Sequence, residues 1–209
     1  MNQEKYLHTL LSPASDQVRQ LEKYAQEHNI PIMEPLGMDF LLQLIRIHQP
    51  KKILEIGTAI GYSALRMLEA MPTGEIITIE RDVNRLEEAR KNIKSFNMED
   101  SIQVIHGDAL ELKEEVAKRG PFDLLFIDAA KGKYEDFFNV YSPLITDQGM
   151  IVSDNVLFKG YVANSSQGSE RFEKIASKIR RFNQSLNNHE KYHTTIVPIG
   201  DGVAITVKK

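Results

Sequence analysis

The 209-residue chain contains no cysteine, which removes disulfides, thiolate nucleophiles and cysteine-ligated zinc at one stroke. Any metal it holds must sit on oxygen or imidazole. No apolar run approaches the roughly 18 residues needed to span a bilayer, and the polar opening MNQEKYLHTLLSPASDQ lacks the basic-then-apolar layout of a signal peptide. The expectation is therefore a cytoplasmic protein with no membrane partner. A net charge of −3 does not advertise nucleic-acid binding, although a local basic face is compatible with it. Internal repeats and low-complexity linkers are also missing. What remains is an ordinary globular composition, 42% hydrophobic and 26% charged, at a length suited to one domain, 1–209.

Within that domain the pattern changes near residue 51. Residues 1–50 carry helical apolar spacing over about 2–11, 15–28 and 36–48, broken at Ser12-Pro13 and Pro31, which reads as a helical N-terminal cap. From 51 to 209, short β-branched runs alternate with amphipathic stretches, the mark of βα units on a parallel sheet. The runs are 51–57, 75–80, 101–107, 121–128 and 148–154, with helices over 82–97 and 133–142 among the intervening stretches. A basic helix near 168–186 precedes two further runs, 192–199 and 202–208. Gly200-Asp201-Gly202 between them predicts a tight turn and an antiparallel closing hairpin.

Ligands of open α/β sheets collect at the carboxyl ends of the strands. Four successive runs finish at or beside a carboxylate: Glu80, Asp108, Asp128 and Asp154. The first βα turn, Glu55-Ile56-Gly57-Thr58-Ala59-Ile60-Gly61-Tyr62-Ser63, brings backbone close to a ligand and opens a helix whose free amides suit an anion. Its second glycine follows the first by four residues, which disfavours the G-x-G-x-x-G dinucleotide reading. Glu80 is placed to accept hydrogen bonds from ribose hydroxyls.

In order, LEIGTAIGYSA, ITIE, HGDA, FIDAAK and SDNV make the sequence resemble the catechol and caffeoyl-CoA type of metal-dependent O-methyltransferase, over nearly the whole chain. Within it, the sequence is similar to the bacterial branch that methylates 5-hydroxyuridine in tRNA. The resemblance implies a Rossmann-like methyltransferase fold: a seven-stranded, mostly parallel sheet with an antiparallel C-terminal hairpin and extra N-terminal helices. It implies S-adenosylmethionine and Mg²⁺ as cofactors and a homodimer. Glu55, Gly57 and Ser63 would hold the methionine end of the cofactor, Glu80 its ribose, and Asp108 with Ala109 its adenine. Met33, in IPIMEP, matches a cofactor-contacting position, but that stretch departs from the family's more usual small-polar sequence, which favours packing for it. Asp128, Asp154 and Asn155 would hold the metal, Asp128 also facing the cofactor, and Lys131 would act as base with Asp128 beside it in the catalytic set.

Three oxygen-bearing side chains from neighbouring strand ends are suitable ligands for a hard cation. A metal chelating two adjacent substrate oxygens accepts a catechol and 5-hydroxyuracil alike. Between Lys159 and Lys191, seven basic residues (Lys159, Arg171, Lys174, Lys178, Arg180, Arg181 and Lys191) face three acidic ones, a contrast with the acidic whole. That tilts the expectation toward tRNA, with a small catechol as the alternative and a non-catalytic RNA-binding Rossmann protein as the reading of another class. Phe158 and Tyr161 suit stacking on a base or roofing an aromatic pocket. His189 and His193 have helical metal-ligand spacing, but they straddle a helix end and carry no expectation. Ser12, Ser63 and Ser153 lack a hydrolase elbow.

Overall fold

The structure, a computed structural model, describes residues 3–164 and 169–209. Three helices come first: α1 (Gln3–Leu10), α2 (Asp16–Glu27) and α3 (Pro35–His48). Their limits follow local chemistry. Ser15 caps α2 by accepting from the Val18 amide at 3.2 Å, and Pro35 opens α3 where an amide hydrogen would be unused. Gln49, in a left-handed conformation, closes α3 after Arg46 and His48 have placed basic groups in its last turn.

The remainder alternates strand and helix: β1 (Lys52–Ile56), α4 (Tyr62–Ala70), β2 (Glu75–Glu80), α5 (Val83–Ser95), β3 (Ile102–His106), α6 (Lys113–Ala117), β4 (Phe122–Ile127), α7 (Tyr134–Tyr141), β5 (Ile145–Ser153), α8 (Glu170–Asn187), β6 (Tyr192–Val197) and β7 (Val203–Lys208). The sheet order is β3-β2-β1-β4-β5-β7-β6, with β7 antiparallel to both its neighbours and the other pairs parallel. The expected fold class is thus present. Two expected helices begin on residues outside the described set, at 2 and 168, and are seen as α1 and α8. β5 starts at Ile145, three residues before the expected 148, because its pairing with β4 is irregular: Phe122 faces Ile145, whereas Leu124 faces Met150.

Both faces of the sheet are covered, which explains the uninterrupted apolar runs. Along β4, Leu124 and Phe126 pack with Ile53, Leu41 and Leu65 under α3 and α4. Leu125 and Ile127 point the other way, into Phe138 of α7 and Ile179 and Phe182 of α8. Each such side chain contributes about 1.5–3 kcal/mol relative to exposure, so the rim carrying the strand ends rests on a rigid base. The strand order reverses between β1 and β4, opening a crevice at their carboxyl ends. No helix among the described residues is long and apolar enough to cross a membrane.

Candidate active site

A cavity of about 580 Å³ occupies that crevice, within the range usual for small-molecule sites. Gly57 shapes its centre. The backbone there has φ +105°, and a Cβ would lie 2.0 Å from the carbonyl oxygen of Asp128. Only glycine lets the β1 loop lie so close to the end of β4. The loop then docks on β2, the amides of Gly57 and Thr58 donating to the Ile79 carbonyl at 3.1 and 3.2 Å. Gly61 (φ +84°) turns the chain into α4, whose first amides have no acceptor a turn earlier and open toward the cavity at Tyr62 and Ser63.

Glu55 is fully buried and lies behind the cavity wall rather than in its lining. Its carboxyl accepts from the hydroxyls of Ser63 and Thr78, the latter at 2.5 Å. Thr78 in turn lies 2.6 Å from the hydroxyl of Thr58. Burial raises the Glu55 carboxyl to about 7, with the charges of Asp128 and Glu80 adding to it and the two hydroxyls opposing it. Ser63 lines the cavity, so Glu55 reaches the site through this neighbour.

The remaining expected cofactor positions ring the cavity. Glu80 accepts from the amides of Ala59 at 2.8 Å and Asp82 at 2.9 Å, fixing the β1 loop to the end of β2 and holding Ala59 in a left-handed conformation. Asp108 turns the chain after β3 by accepting from the Leu110 amide at 2.9 Å. Ala109 beside it is buried, its carbonyl accepting from Tyr141 at 2.5 Å. Met33 belongs to the core under α3 and also lines the cavity, so both of its expected uses remain geometrically available.

On the far side stand Asp128, Asp154, Asn155 and Lys131, all in the cavity lining. Asp128 follows β4 and keeps a narrow accessible edge; Asp154 follows β5 and is 3% exposed. Parallel pairing up to Ile127–Ser153 sets the two carboxylates side by side. Burial and the neighbouring Asp128 raise the Asp154 carboxyl to about 8, against lowering by the Asn155 backbone and Lys131. Burial likewise raises Asp128, opposed by Lys131. Asn155 adopts φ +56°, donating to Asp154 at 3.0 Å while its side-chain oxygen accepts from the Lys131 ammonium. The residues fit a divalent cation: two carboxylates that resist ionising together, with an amide oxygen beside them, form a hard donor set short of positive charge. Among the described residues no cluster of three His, Cys, Asp or Glu side chains offers a rival metal site. His189 instead packs edge-on against Phe138 and Tyr192.

Lys133 is exposed and paired with Asp136 at 3.1 Å, unlike half-buried Lys131. The loop after Asn155 is zipped to the β6–β7 turn: Val156 donates to the Gly202 carbonyl, Leu157 and Phe158 to that of Asp201, and the Lys159 amide to the Asp201 carboxylate at 3.1 Å. Asp201 was legible only as a turn former, yet it lines the cavity. Phe158, Tyr161 and Phe172 pack together with ring centroids 5.3–5.7 Å apart, so of the two expected stacking residues Phe158 alone lines the cavity. The basic run divides. Arg180 is consumed holding the carbonyls of Tyr161 and Val162 and the carboxylate of Glu173, whereas Arg171, Lys174 and Lys178 line a second groove of about 420 Å³ beside Gly132.

Comparison with known proteins agrees with this geometry. Residues 9–209 match the family model described as O-methyltransferase. A catechol O-methyltransferase from Niastella koreensis is 31% identical over 99% of this chain and 96% of its own. A Staphylococcus aureus protein solved under the provisional name caffeoyl-CoA O-methyltransferase superposes with a TM-score of 0.93 at 35% identity, covering 99% of both chains. The O-methyltransferase from Bacillus cereus, solved in complex with S-adenosylhomocysteine, gives 0.86 at 26% identity, covering 99% of this chain and 96% of that one. The chain belongs to the O-methyltransferase family, in its catechol and caffeoyl-CoA group.

Proposed function

We propose that this S-adenosylmethionine-dependent O-methyltransferase methylates one of two vicinal oxygens on a planar substrate, with Asp128, Asp154 and Asn155 as ligands for Mg²⁺. The observation that carries this reading is the presence, in one cavity with the glycine loop at Gly57, of Asp128, buried Asp154 and Asn155, the two carboxylates both raised by burial. S-adenosylmethionine supplies the methyl group, and a bound divalent cation supplies the positive charge that favours an ionised substrate oxygen. Gly57, Ser63 and, through Ser63, Glu55 serve the methionine end. Glu80 serves the ribose, and Asp108 and Ala109 the adenine, with Met33 packed at the same wall. Lys131, as the neutral amine, takes the substrate hydroxyl proton at Nζ, and Asp128, the anion nearest in the chain, stabilises the ammonium that forms.

The relatives' names favour a small catechol-type phenol as substrate. A second reading, 5-hydroxyuridine in tRNA, is favoured by the groove of Arg171, Lys174 and Lys178 next to the Lys131 turn. Among the described residues, neither Arg171 nor Lys178 has an ion-pair partner there, whereas Lys174 pairs with Glu170 at 2.6 Å. Phosphates passing that groove would lead a base toward the cavity. A homodimer is part of the proposal: α1 buries none of its residues and leaves Tyr6 and Leu10 more than half exposed. The test incubates purified protein, S-adenosylmethionine and Mg²⁺ with a catechol panel or hydroxyuridine-containing tRNA. Transfer to catechols alone sets tRNA aside, and transfer to tRNA that Arg171→Glu with Lys178→Glu abolishes selects it. Full activity in EDTA would remove the metal from either reading.

A further inference from the structure

The hydroxyl groups around Glu55 form a chain with both ends at the cavity. Ser63 and Thr58 line the cavity; Glu55 and Thr78, both fully buried, do not. Ser63 donates to one oxygen of Glu55, Thr78 donates to the other, and Thr78 lies 2.6 Å from Thr58. A hydroxyl has one proton to give. While Glu55 is ionised, Ser63 and Thr78 must spend theirs on it, and Thr58 must spend its own on Thr78. Ser63 and Thr58 then show only lone pairs to the cavity. A proton placed on Glu55 reverses this: donated to Ser63 it frees the Ser63 proton, and donated to Thr78 it frees the proton of Thr58.

We propose that Thr78 is a specificity residue of the cofactor site, coupling Glu55 to Thr58 so that the cavity floor is an all-acceptor surface selecting an ammonium group. This rests on the reading of the cavity as an S-adenosylmethionine site. There the free amides at the start of α4 face the carboxylate of the amino-acid end, and the hydroxyl oxygens of Ser63 and Thr58 face its ammonium. Thr78 touches Glu55 and Thr58 rather than the ligand, so it acts as a positioning residue.

The charged groups acting on Glu55 are Glu80 at the end of β2 and Asp128 at the end of β4, both anionic; Ser63 on α4 and Thr78 on β2 supply its hydrogen bonds. No cation offsets them among these neighbours. With its carboxyl raised to about 7, Glu55 is largely protonated in the empty site at pH 6.5. An ammonium on the floor favours the ionised form, so binding expels the proton to solvent and affinity rises with pH.

Titration calorimetry at pH 6.0–7.5, in buffers of different ionisation enthalpy and in EDTA, reads this proton. Near pH 6.5 a free α-amino group, of pKa about 7.7–8.0, is mostly charged, so the proton counted comes from the protein. S-adenosylhomocysteine should release about half a proton or more, and 5′-methylthioadenosine, which lacks the amino-acid end, far less. Glu55→Gln should abolish the difference. Thr78→Val should move the midpoint of release to higher pH, because Glu55 loses a hydrogen bond that favours its charge, and Thr78→Ser should restore it. Equal release with both ligands, or a midpoint unmoved in Thr78→Val, overturns the proposal. Absence of any S-adenosylhomocysteine binding would overturn the cofactor reading itself. The two-ligand comparison on the unmodified protein needs no variant to fold.

Discussion

The ammonium of Lys131 donates to the side-chain oxygen of Asn155, the only atom of that amide able to face a cation. Its nitrogen meanwhile donates to Asp154 at 3.0 Å. Lys131 and a metal ion held by Asn155 would therefore compete for one oxygen, so a bound cation would displace the ammonium from it. Lys131→Met should tighten Mg²⁺ binding while lowering kcat by about 10²–10⁴-fold, the usual range for losing a general base. Lys133→Ala, which breaks the exposed pair with Asp136 at a residue that also lines the cavity, should lower kcat much less than Lys131→Met does. Metal titrations and steady-state kinetics check both; equal small effects would reduce Lys131 to a source of positive field.

Asp154 carries a cost in the metal-free fold. Its folded-state value near 8 lies above the ordinary 3.8, so between those values the folded chain holds more protons than the unfolded one. Stability contributed by this group is thus complete at acid pH and falls as pH rises toward 8. Glu55, raised to about 7, adds a fall of the same sign ending at lower pH. Asp154→Asn should raise the metal-free Tm at pH 8 by about 2–10 °C, for a gain of about 1–3 kcal/mol, while abolishing turnover. Melting curves in EDTA from pH 5 to 8.5 should show a shallower decline for the variant. Mg²⁺ should bind the original chain more tightly as pH rises, and parallel curves would contradict the assignment.

Gly57 and Gly160 separate backbone strain from collision. Both have positive φ, +105° and +79°, but a Cβ at Gly160 meets nothing within 4 Å, whereas at Gly57 it strikes the Asp128 backbone. Gly160→Ala should cost about 1 kcal/mol, the ordinary price of a left-handed residue with a side chain. Gly57→Ala should cost at least about 3 kcal/mol and reduce activity further by moving Asp128, since neither backbone can yield without breaking sheet pairing. Denaturant midpoints compare the two directly.

The strand ends were readable because the inner parallel strands, buried on both faces, are mainly apolar runs stopping at a polar residue; Glu80, Asp128 and Asp154 inherit their places from that rule, whereas Asp108 follows the half-exposed edge strand β3. Glu55 was readable as a site residue by resemblance, but its depth was not, since a carboxylate inside an apolar strand looks the same whether it meets ligand or hydroxyls. Thr78 lies two residues before Glu80 and so on the same face of β2, a signal that has meaning only once Glu55 is known to lie opposite. The early start of β5 was hidden by the polar pair Thr146-Asp147 ahead of the expected run 148–154, which the strand crosses in its irregular pairing beside Phe122. Asp201 illustrates the general limit: a turn residue has a local explanation, and nothing local reveals that the turn folds back onto the loop after Asn155.

That contact makes the closing hairpin a support for the active-site loop. A Cβ on Gly202 would lie 2.3 Å from Leu157 Cγ and 2.8 Å from its Cβ, at φ +87°. Gly202→Ala must push Leu157 away, and Leu157 is held through its amide to the Asp201 carbonyl at 2.8 Å. The displacement passes along the loop to Phe158 at the cavity rim and back toward Asn155, two residues before Leu157. The expected result is a loss of about 1–3 kcal/mol in stability, with KM for the methyl acceptor raised several-fold and cofactor affinity nearly unchanged, because Gly57, Ser63 and Glu80 stand on the other side of the crevice. Asp201→Ala removes the carboxylate bond to the Lys159 amide together with a negative charge that acts on Asp154 from the cavity lining, so it should raise the acceptor KM with a smaller stability loss. Asp201→Asn, which keeps an acceptor oxygen, should recover most of it. Acceptor and cofactor KM values measured side by side decide the matter: if both rise together in Gly202→Ala, the hairpin supports the whole rim rather than this loop.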